Sequence, residues 1–287
     1  AIGSIIVTAN SSNSALVPVV LGGSGASRNV NLSPAVNQTG TSLVTITAND
    51  GTTTVTSAFV VTVLDRNDAP TFTAGPSQMV LEDTAAQSLA WASNINPGAA
   101  NEGGQALDFI VTNNNNALFS SQPAISPAGV LTYTLAANAN GTATVLVILH
   151  DNGGTAGGGQ DESATVTITI DSIAVNDAPA FLATLVNQNI NEPGGFQSVA
   201  NFAQVSVGPA NEAAQSLQGF TVSNNNPALF QVAPAIAANG TLTYTPKPGV
   251  LGTAIVQVTA TDNGGVDNGG SDTSTTQTFT LTVNPAS

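Results

Sequence analysis

The chain repeats itself, and this constrains its fold more than any single motif does. NDAPTF at 67–72 recurs as NDAPAF at 176–181. The correspondence then runs on in order. PGAANEGGQ (97–105) matches GPANEAAQ (208–215), NNNNALF (113–119) matches NNNPALF (224–230), and PAISPAGVLTYT (123–134) matches PAIAANGTLTYT (234–245). NGTATV (140–145) parallels LGTAIV (251–256), and HDNGG at 150 parallels TDNGG at 261. Two full repeats are therefore expected at 67–175 and 176–287. Residues 1–66 read as the back half of a third, divergent copy, with SNSALV (12–17) in the place of NNNALF and QTGTSLVTITANDG (38–51) in the place of NGTATVLVILHDNG. No counterpart of a repeat's first roughly 40 residues stands ahead of this half copy.

Each repeat alternates apolar and β-branched residues over short runs, as in 130–135, 142–149 and 164–170, broken every 8–14 residues by Asn, Gly and Pro. That is the period-2 pattern of half-buried strands. No window carries a capped amphipathic helix. About seven strands in about 110 residues predict an immunoglobulin-like sandwich, and the chain as a whole an all-β tandem of such sandwiches in an elongated rod. For 1–66 three expectations stand open. The chain is a fragment, a neighbouring subunit completes the fold by strand addition, or 1–66 builds a smaller sandwich from its own apolar runs at 5–7 and 16–21. A start at Ala1, without Met or a signal-like segment, fits either a processed mature chain or a piece of a longer one.

Composition removes whole classes of function. Three Lys and Arg against 17 Asp and Glu give a net charge of −14 on 287 residues, of which 7% are charged. Such a chain has no basic surface for nucleic acid or an anionic membrane. Cysteine is absent, His150 is the single histidine, and no apolar run reaches the roughly 18 residues of a membrane span. Trp91 and Met79 read as core residues, Tyr133 and Tyr244 share a repeat position and read as packing, and His150 reads as a strand-end residue with Thr261 as its counterpart. No nucleophile, base and stabiliser stand together, so no catalytic residue is expected.

The junction NDAP followed by Phe, the LEDT at 81–84, LTYT, GTA-x-V, DNGG and a closing TFTLTV together resemble the cadherin-like and bacterial Ig-like tandem repeats of extracellular adhesins and filament or matrix proteins. The resemblance covers 67–287 well and 1–66 in part. It implies calcium held at a linker of D-x-N-D-N-A-P type. Asp65-Arg66-Asn67-Asp68-Ala69-Pro70 keeps most of that pattern, whereas the second junction has Ala174 where the leading Asp would stand.

The placement of the acids points the same way on physical grounds. Residues 67–175 carry nine acids and no Lys or Arg, 176–287 carry six acids and one Lys, and 1–66 are balanced. Ca²⁺ takes six to eight oxygen ligands, so a site needs acids brought together from several loops. In an Ig-like sandwich the entering chain, the B–C loop and the F–G loop share one pole. The first junction is then expected to gather Asp65, Asn67, Asp68, Asn101, Glu102, Asp151, Asp161 and Glu162. The second is expected to gather Asn176, Asp177, Asn211, Glu212, Asp262, Asp267 and Asp272, with Glu82 or Asp83 from the lower pole of the middle repeat.

The function these readings favour is an extracellular, calcium-stiffened structural rod or filament subunit, at the cell surface or in a secreted matrix. Its partner is a second copy or further tandem repeats, with neither nucleic acid nor a membrane span involved. The alternative is an adhesin segment that binds a carbohydrate or cell-surface ligand, against which one Trp and two Tyr offer few stacking platforms.

Overall fold

The computed structural model describes residues 5–25 and 27–286, and they form an all-β tandem of sandwiches. In the middle sandwich one sheet has the order Leu107–Asn113, Gly141–Asp151, Val166–Ile173, Gln78–Leu81, and the facing sheet has Phe119–Ile125, Val130–Leu135, Gln87–Ala90. The last sandwich repeats this plan. Leu217–Asn224, Gly252–Asp262, Gln277–Asn284 and Gln188–Asn191 face Phe230–Ile236, Leu242–Pro246 and Gln197–Val199. In each, the short edge strand of the four-stranded sheet pairs parallel with the last strand, Gln78 opposite Ile170 and Gln188 opposite Leu281, while the neighbouring pairs are antiparallel. Helix among the described residues is confined to three-residue 3₁₀ turns, and no helix is long and apolar enough to cross a membrane.

The alternation read from the sequence becomes burial. Along Gly141–Asp151, Ala143, Val145, Val147 and Leu149 point inward and are fully buried, and Ala254, Val256, Val258 and Ala260 do the same along Gly252–Asp262. Ala143, Val145 and Val147 meet Leu131, Tyr133 and Ile170 in one core, and Ala254, Val256 and Val258 meet Leu242, Tyr244 and Leu281 in the other. Each large aliphatic side chain buried in this way contributes about 1.5–3 kcal/mol. Tyr133 and Tyr244 do pack inside, edge-on to Phe119 and Phe230, and Trp91 is buried with its indole nitrogen donating to the Pro76 carbonyl at 2.9 Å.

Met79 departs from the expectation that it is core. It is 70% exposed, because on the short strand Gln78–Leu81 the inward parity falls to Val80.

The first unit has the back half of the plan. Ile6–Ser11, Gly40–Asn49 and Thr54–Val63 form a three-stranded sheet, and Val19–Gly22 pairs with Asn29–Leu32 in a separate hairpin. Leu16 and Val17 are buried as are Leu118 and Phe119 in the middle sandwich. No described strand lies beyond Thr54–Val63 in its sheet, and its inward face is open. Phe59 is 40% exposed, whereas Phe279 and Ile168, at the same register in the complete sandwiches, are 2% and 6% exposed.

Candidate metal-binding junctions

Each complete sandwich grips the linker that enters it with three elements: the linker Asn-Asp, a 3₁₀ turn ending in Glu, and the loop after the DNGG segment. At the first junction the Asn67 amide donates to Asp151 Oδ1 at 2.8 Å and to the Gln160 carbonyl at 2.6 Å, and its own Oδ1 accepts from Gln105 at 2.7 Å. Glu102 Oε1 accepts the Asp68 backbone N–H at 2.9 Å, Glu102 Oε2 accepts that of Ala99 at 2.8 Å, and Asn101 donates to Asp65 Oδ1 at 3.1 Å. The glycines of DNGG are a steric requirement. A Cβ on Gly153 or Gly264 would run into the side-chain oxygen of Asn67 or Asn176, so only glycine lets the linker asparagine lie against the loop.

The second junction keeps this frame and changes two members. Asn176 donates to Asp262 Oδ1 at 3.2 Å, and the Asp177 N–H reaches Glu212 Oε1 at 2.9 Å. Ala174 replaces the leading Asp, and Glu82 of the middle sandwich takes over its role. Glu82 accepts the Val175 N–H at 2.7 Å, Asn211 at 3.1 Å and Asn140 at 3.3 Å, and it is buried. Pro209 stands where Ala99 stood, and proline has no N–H to give. Glu212 Oε2 is consequently buried with no hydrogen-bond partner among the described residues. Asp83, beyond its strand at φ 59°, accepts the Asn138 N–H at 2.8 Å. With its side-chain nitrogen set toward the carboxylates, Asn138 also bridges Asp83 Oδ2 at 3.1 Å and Asp177 Oδ2 at 3.0 Å.

The second junction thus draws Glu82, Asp83, Asp177 and Glu212 into one neighbourhood. Burial raises the pKa of Asp177, and the charge of Asp83 adds to the rise. Burial likewise raises Glu212, helped by Asp177 and Glu82 and opposed by the Asp177 N–H and Gln215. At the protein's acidic poles Asp151 Oδ2 and Asp262 Oδ2 are also buried without a partner. A buried carboxylate oxygen with no donor is costly. One way to offset that cost is a cation, and the donor set is that of a hard oxygen-seeking ion such as Ca²⁺.

The remaining predicted residues are placed as follows. Asp267 lies on the 3₁₀ turn Asp267–Gly269 and lines a cavity of about 220 Å³ at the second junction, with Asn140, Asn176, Asn211 and Glu212. Asp161 faces His150 at 3.9 Å, Glu162 is exposed opposite His150, and Asp272 accepts the Thr273 hydroxyl at 2.9 Å. These three are not drawn to the linkers through their carboxylates. Among the described residues no three acid or imidazole groups converge closely enough to cage a metal as the side chains stand. His150 ends its strand and pairs with Asp108 at 2.9 Å. Sequence reading missed Asn138, Asn140, Gln105 and Gln215. The signal for the two glutamines was present, since each follows the Asn-Glu of its repeat by three residues.

Linkage fixes how pH acts on the cation-free chain. Asp177 and Glu212 have folded pKa values above the ordinary 3.8 and 4.5, so the folded state holds more of their protons and loses stability as pH rises through that window. His150, raised chiefly by its bond to Asp108, acts in the same sense above 6.5. Asp50 is lowered by the Thr53 and Thr52 amides and weakens the fold only below 3.8. In chelator, the melting temperature is therefore expected to increase as pH falls from about 7.5 to about 4, the lower end of the window that begins at the ordinary carboxylate values. A fall over that range, measured by circular dichroism, would contradict the assignment.

No family model matches the chain, and no curated protein matches it. Solved structures similar to it include mouse Protocadherin-24 EC1-3, at 18% identity and a TM-score of 0.47, covering 97% of this chain and 90% of that one. The human Desmocollin-1 ectodomain is similar at 17% identity and a TM-score of 0.36, with 99% of this chain and 55% of that one covered. The I67-I69 I-band fragment of titin is similar at 12% identity and a TM-score of 0.35, over 99% and 88%. At these identities the likeness concerns the tandem β-sandwich fold alone.

Proposed function

We propose that this chain is an extracellular structural segment, with units at 67–175 and 176–287, whose junctions bind Ca²⁺ and stiffen, and which self-associates by strand addition at its first unit. The observation that carries the calcium reading is the buried Glu212 Oε2, left without a donor by Pro209 in a neighbourhood shared with Glu82, Asp83 and Asp177. Asp262, with its own partnerless Oδ2, and Asp267 belong to the same pole. At the first junction the corresponding oxygens come from Asp65, Asp68, Glu102 and Asp151.

Bound Ca²⁺ supplies two positive charges and coordination places for six to eight oxygens. The chain's residues do the rest. Asn67 and Asn176 hold the linkers against the DNGG loops, Asn211 ties Glu82 of one sandwich to the turn of the next, and the carboxylates present their oxygens across the junction. A site of mixed, partly hydrogen-bonded oxygens suits the weak class of calcium module that works at extracellular concentrations of about 10⁻⁴–10⁻³ M.

Small-angle scattering tests the mechanical consequence. The full chain is expected to give a longer and better-defined maximum dimension in calcium than in chelator. Superimposable distance distributions in the two conditions would refute stiffening.

A further inference from the structure

We infer that the two junctions are unequal calcium sites: the second takes the cation first, because Pro209 and Val175 withhold donors that Ala99 and Arg66 supply at the first. This rests on the calcium reading above and ranks its sites. The linker sequence alone ranks them the other way, since Asp65 has no acidic counterpart at Ala174.

The difference lies in the linker, the 3₁₀ turn and the loop, which both junctions have in full. Some buried oxygens lack a partner among the described residues at each: Asp151 Oδ2 and Gln105 Oε1 at the first, Asp262 Oδ2 and Gln215 Oε1 at the second. The second junction adds Glu212 Oε2 and Asn176 Oδ1. At the first the equivalent atoms are satisfied, Glu102 Oε2 by the Ala99 N–H at 2.8 Å and Asn67 Oδ1 by the Gln105 amide at 2.7 Å. Asn176 cannot cure its deficit by turning its amide over. The nitrogen already donates to Asp262 Oδ1 at 3.2 Å and to the Gly265 and Ser271 carbonyls at 3.1 and 2.8 Å. Asn176 and Glu212, the latter 7% exposed, line the same cavity of about 220 Å³, and no Lys or Arg lines it. A buried acceptor without a donor carries a desolvation cost that a cation at that place recovers. The second junction therefore gains more from Ca²⁺ than the first.

The first junction also carries a positive charge of its own. Arg66 Nε donates to the Gly158 carbonyl at 3.0 Å, which ties the linker to the loop, and Arg66 lines a cavity with Asp65 and Asp68. Val175, at the corresponding place, has no side-chain donor. A resident guanidinium repels an entering cation and holds the linker without one. Asp65 does not reverse the ranking, since it is exposed and already accepts from Asn101 at 3.1 Å.

The backbone allows the deciding residues to be exchanged. Ala99 and Pro209 have φ of −71° and −70°, and each follows a glycine at positive φ, so each suits the other's place. The test titrates calcium into the EDTA-stripped full chain, as wild type, Pro209→Ala and Ala99→Pro. Amide hydrogen exchange is followed separately at the first junction, over 65–68 and 99–105, and at the second, over 174–177 and 210–215. In the wild type the second junction is expected to gain protection at a calcium concentration at least about fivefold lower than the first. Pro209→Ala restores the missing N–H and is expected to raise the second midpoint by a similar factor, and Ala99→Pro to lower the first. Equal midpoints, earlier protection of the first junction, or variants whose midpoints match the wild type would overturn the inference and leave the calcium reading standing. No calcium-dependent protection at either junction would overturn both.

Discussion

Glu82→Ala is expected to destabilise the middle sandwich and its junction by about 1–2 kcal/mol, the scale for orphaning one partly buried backbone donor and losing two half-exposed hydrogen bonds. One carboxylate serves three donors there: the Val175 N–H at 2.7 Å, Asn211 at 3.1 Å and Asn140 at 3.3 Å. Alanine leaves the half-buried Val175 N–H without its acceptor, while the exposed Asn140 and Asn211 amides turn to water. Removing the negative charge also relieves repulsion with Glu212, which works the other way. The loss dominates, because the backbone N–H of the half-buried Val175 cannot turn elsewhere and leaving such a donor unpaired costs on the order of 1 kcal/mol or more. Glu82→Gln separates the two effects. It keeps an oxygen for Val175, and the two asparagine amides can rotate to present oxygen to its NH₂, so most of the stability is expected to return. Urea melting of the three proteins is the measurement. An alanine variant within about 0.5 kcal/mol of wild type, the range of an ordinary surface change, would show that Glu82 does not hold the junction.

The fold was legible because two strong periodicities agreed. The 109-residue recurrence from Asn67 to Asn176 fixed which segments are equivalent, and the period-2 runs fixed which side of each strand goes inward, as Val145 and Val256 illustrate. Met79 escaped this reading because a four-residue edge strand is too short for its parity to be read without its partner. At the junctions, the residues adjacent in sequence to the linker were readable, and their tasks were less so. Asn67 and Asn176 read as metal ligands, yet the structure turns their amide nitrogens onto Asp151 and Asp262 as latches. Asn138 was invisible because it meets Asp83 from 55 residues away in a turn whose sequence, AANAN, has no charge. Pro209 in place of Ala99 is plain in the alignment of the two repeats. Its consequence, a buried oxygen without a donor, appears only when the turn is folded over Glu212.

Saturating calcium is expected to raise the melting temperature of the chelated chain by about 10 °C. A ligand at a free concentration 100-fold above its dissociation constant stabilises the folded state by about 2.7 kcal/mol, and for a unit of about 110 residues each kcal/mol moves the midpoint by about 4 °C. The direction follows from the site. Glu82, Asp83, Asp177 and Glu212 repel one another in the folded chain and are apart in the unfolded one, so the folded state gains selectively from a divalent cation. Glu212→Gln removes one of the two carboxylates whose pKa is raised at the second junction and is expected to shrink the increment. Differential scanning calorimetry of the full chain, first in EDTA and then across a calcium titration, tests the account most directly. It predicts a midpoint that climbs with calcium and climbs less in Glu212→Gln, and thermograms that superimpose at every calcium concentration would contradict it.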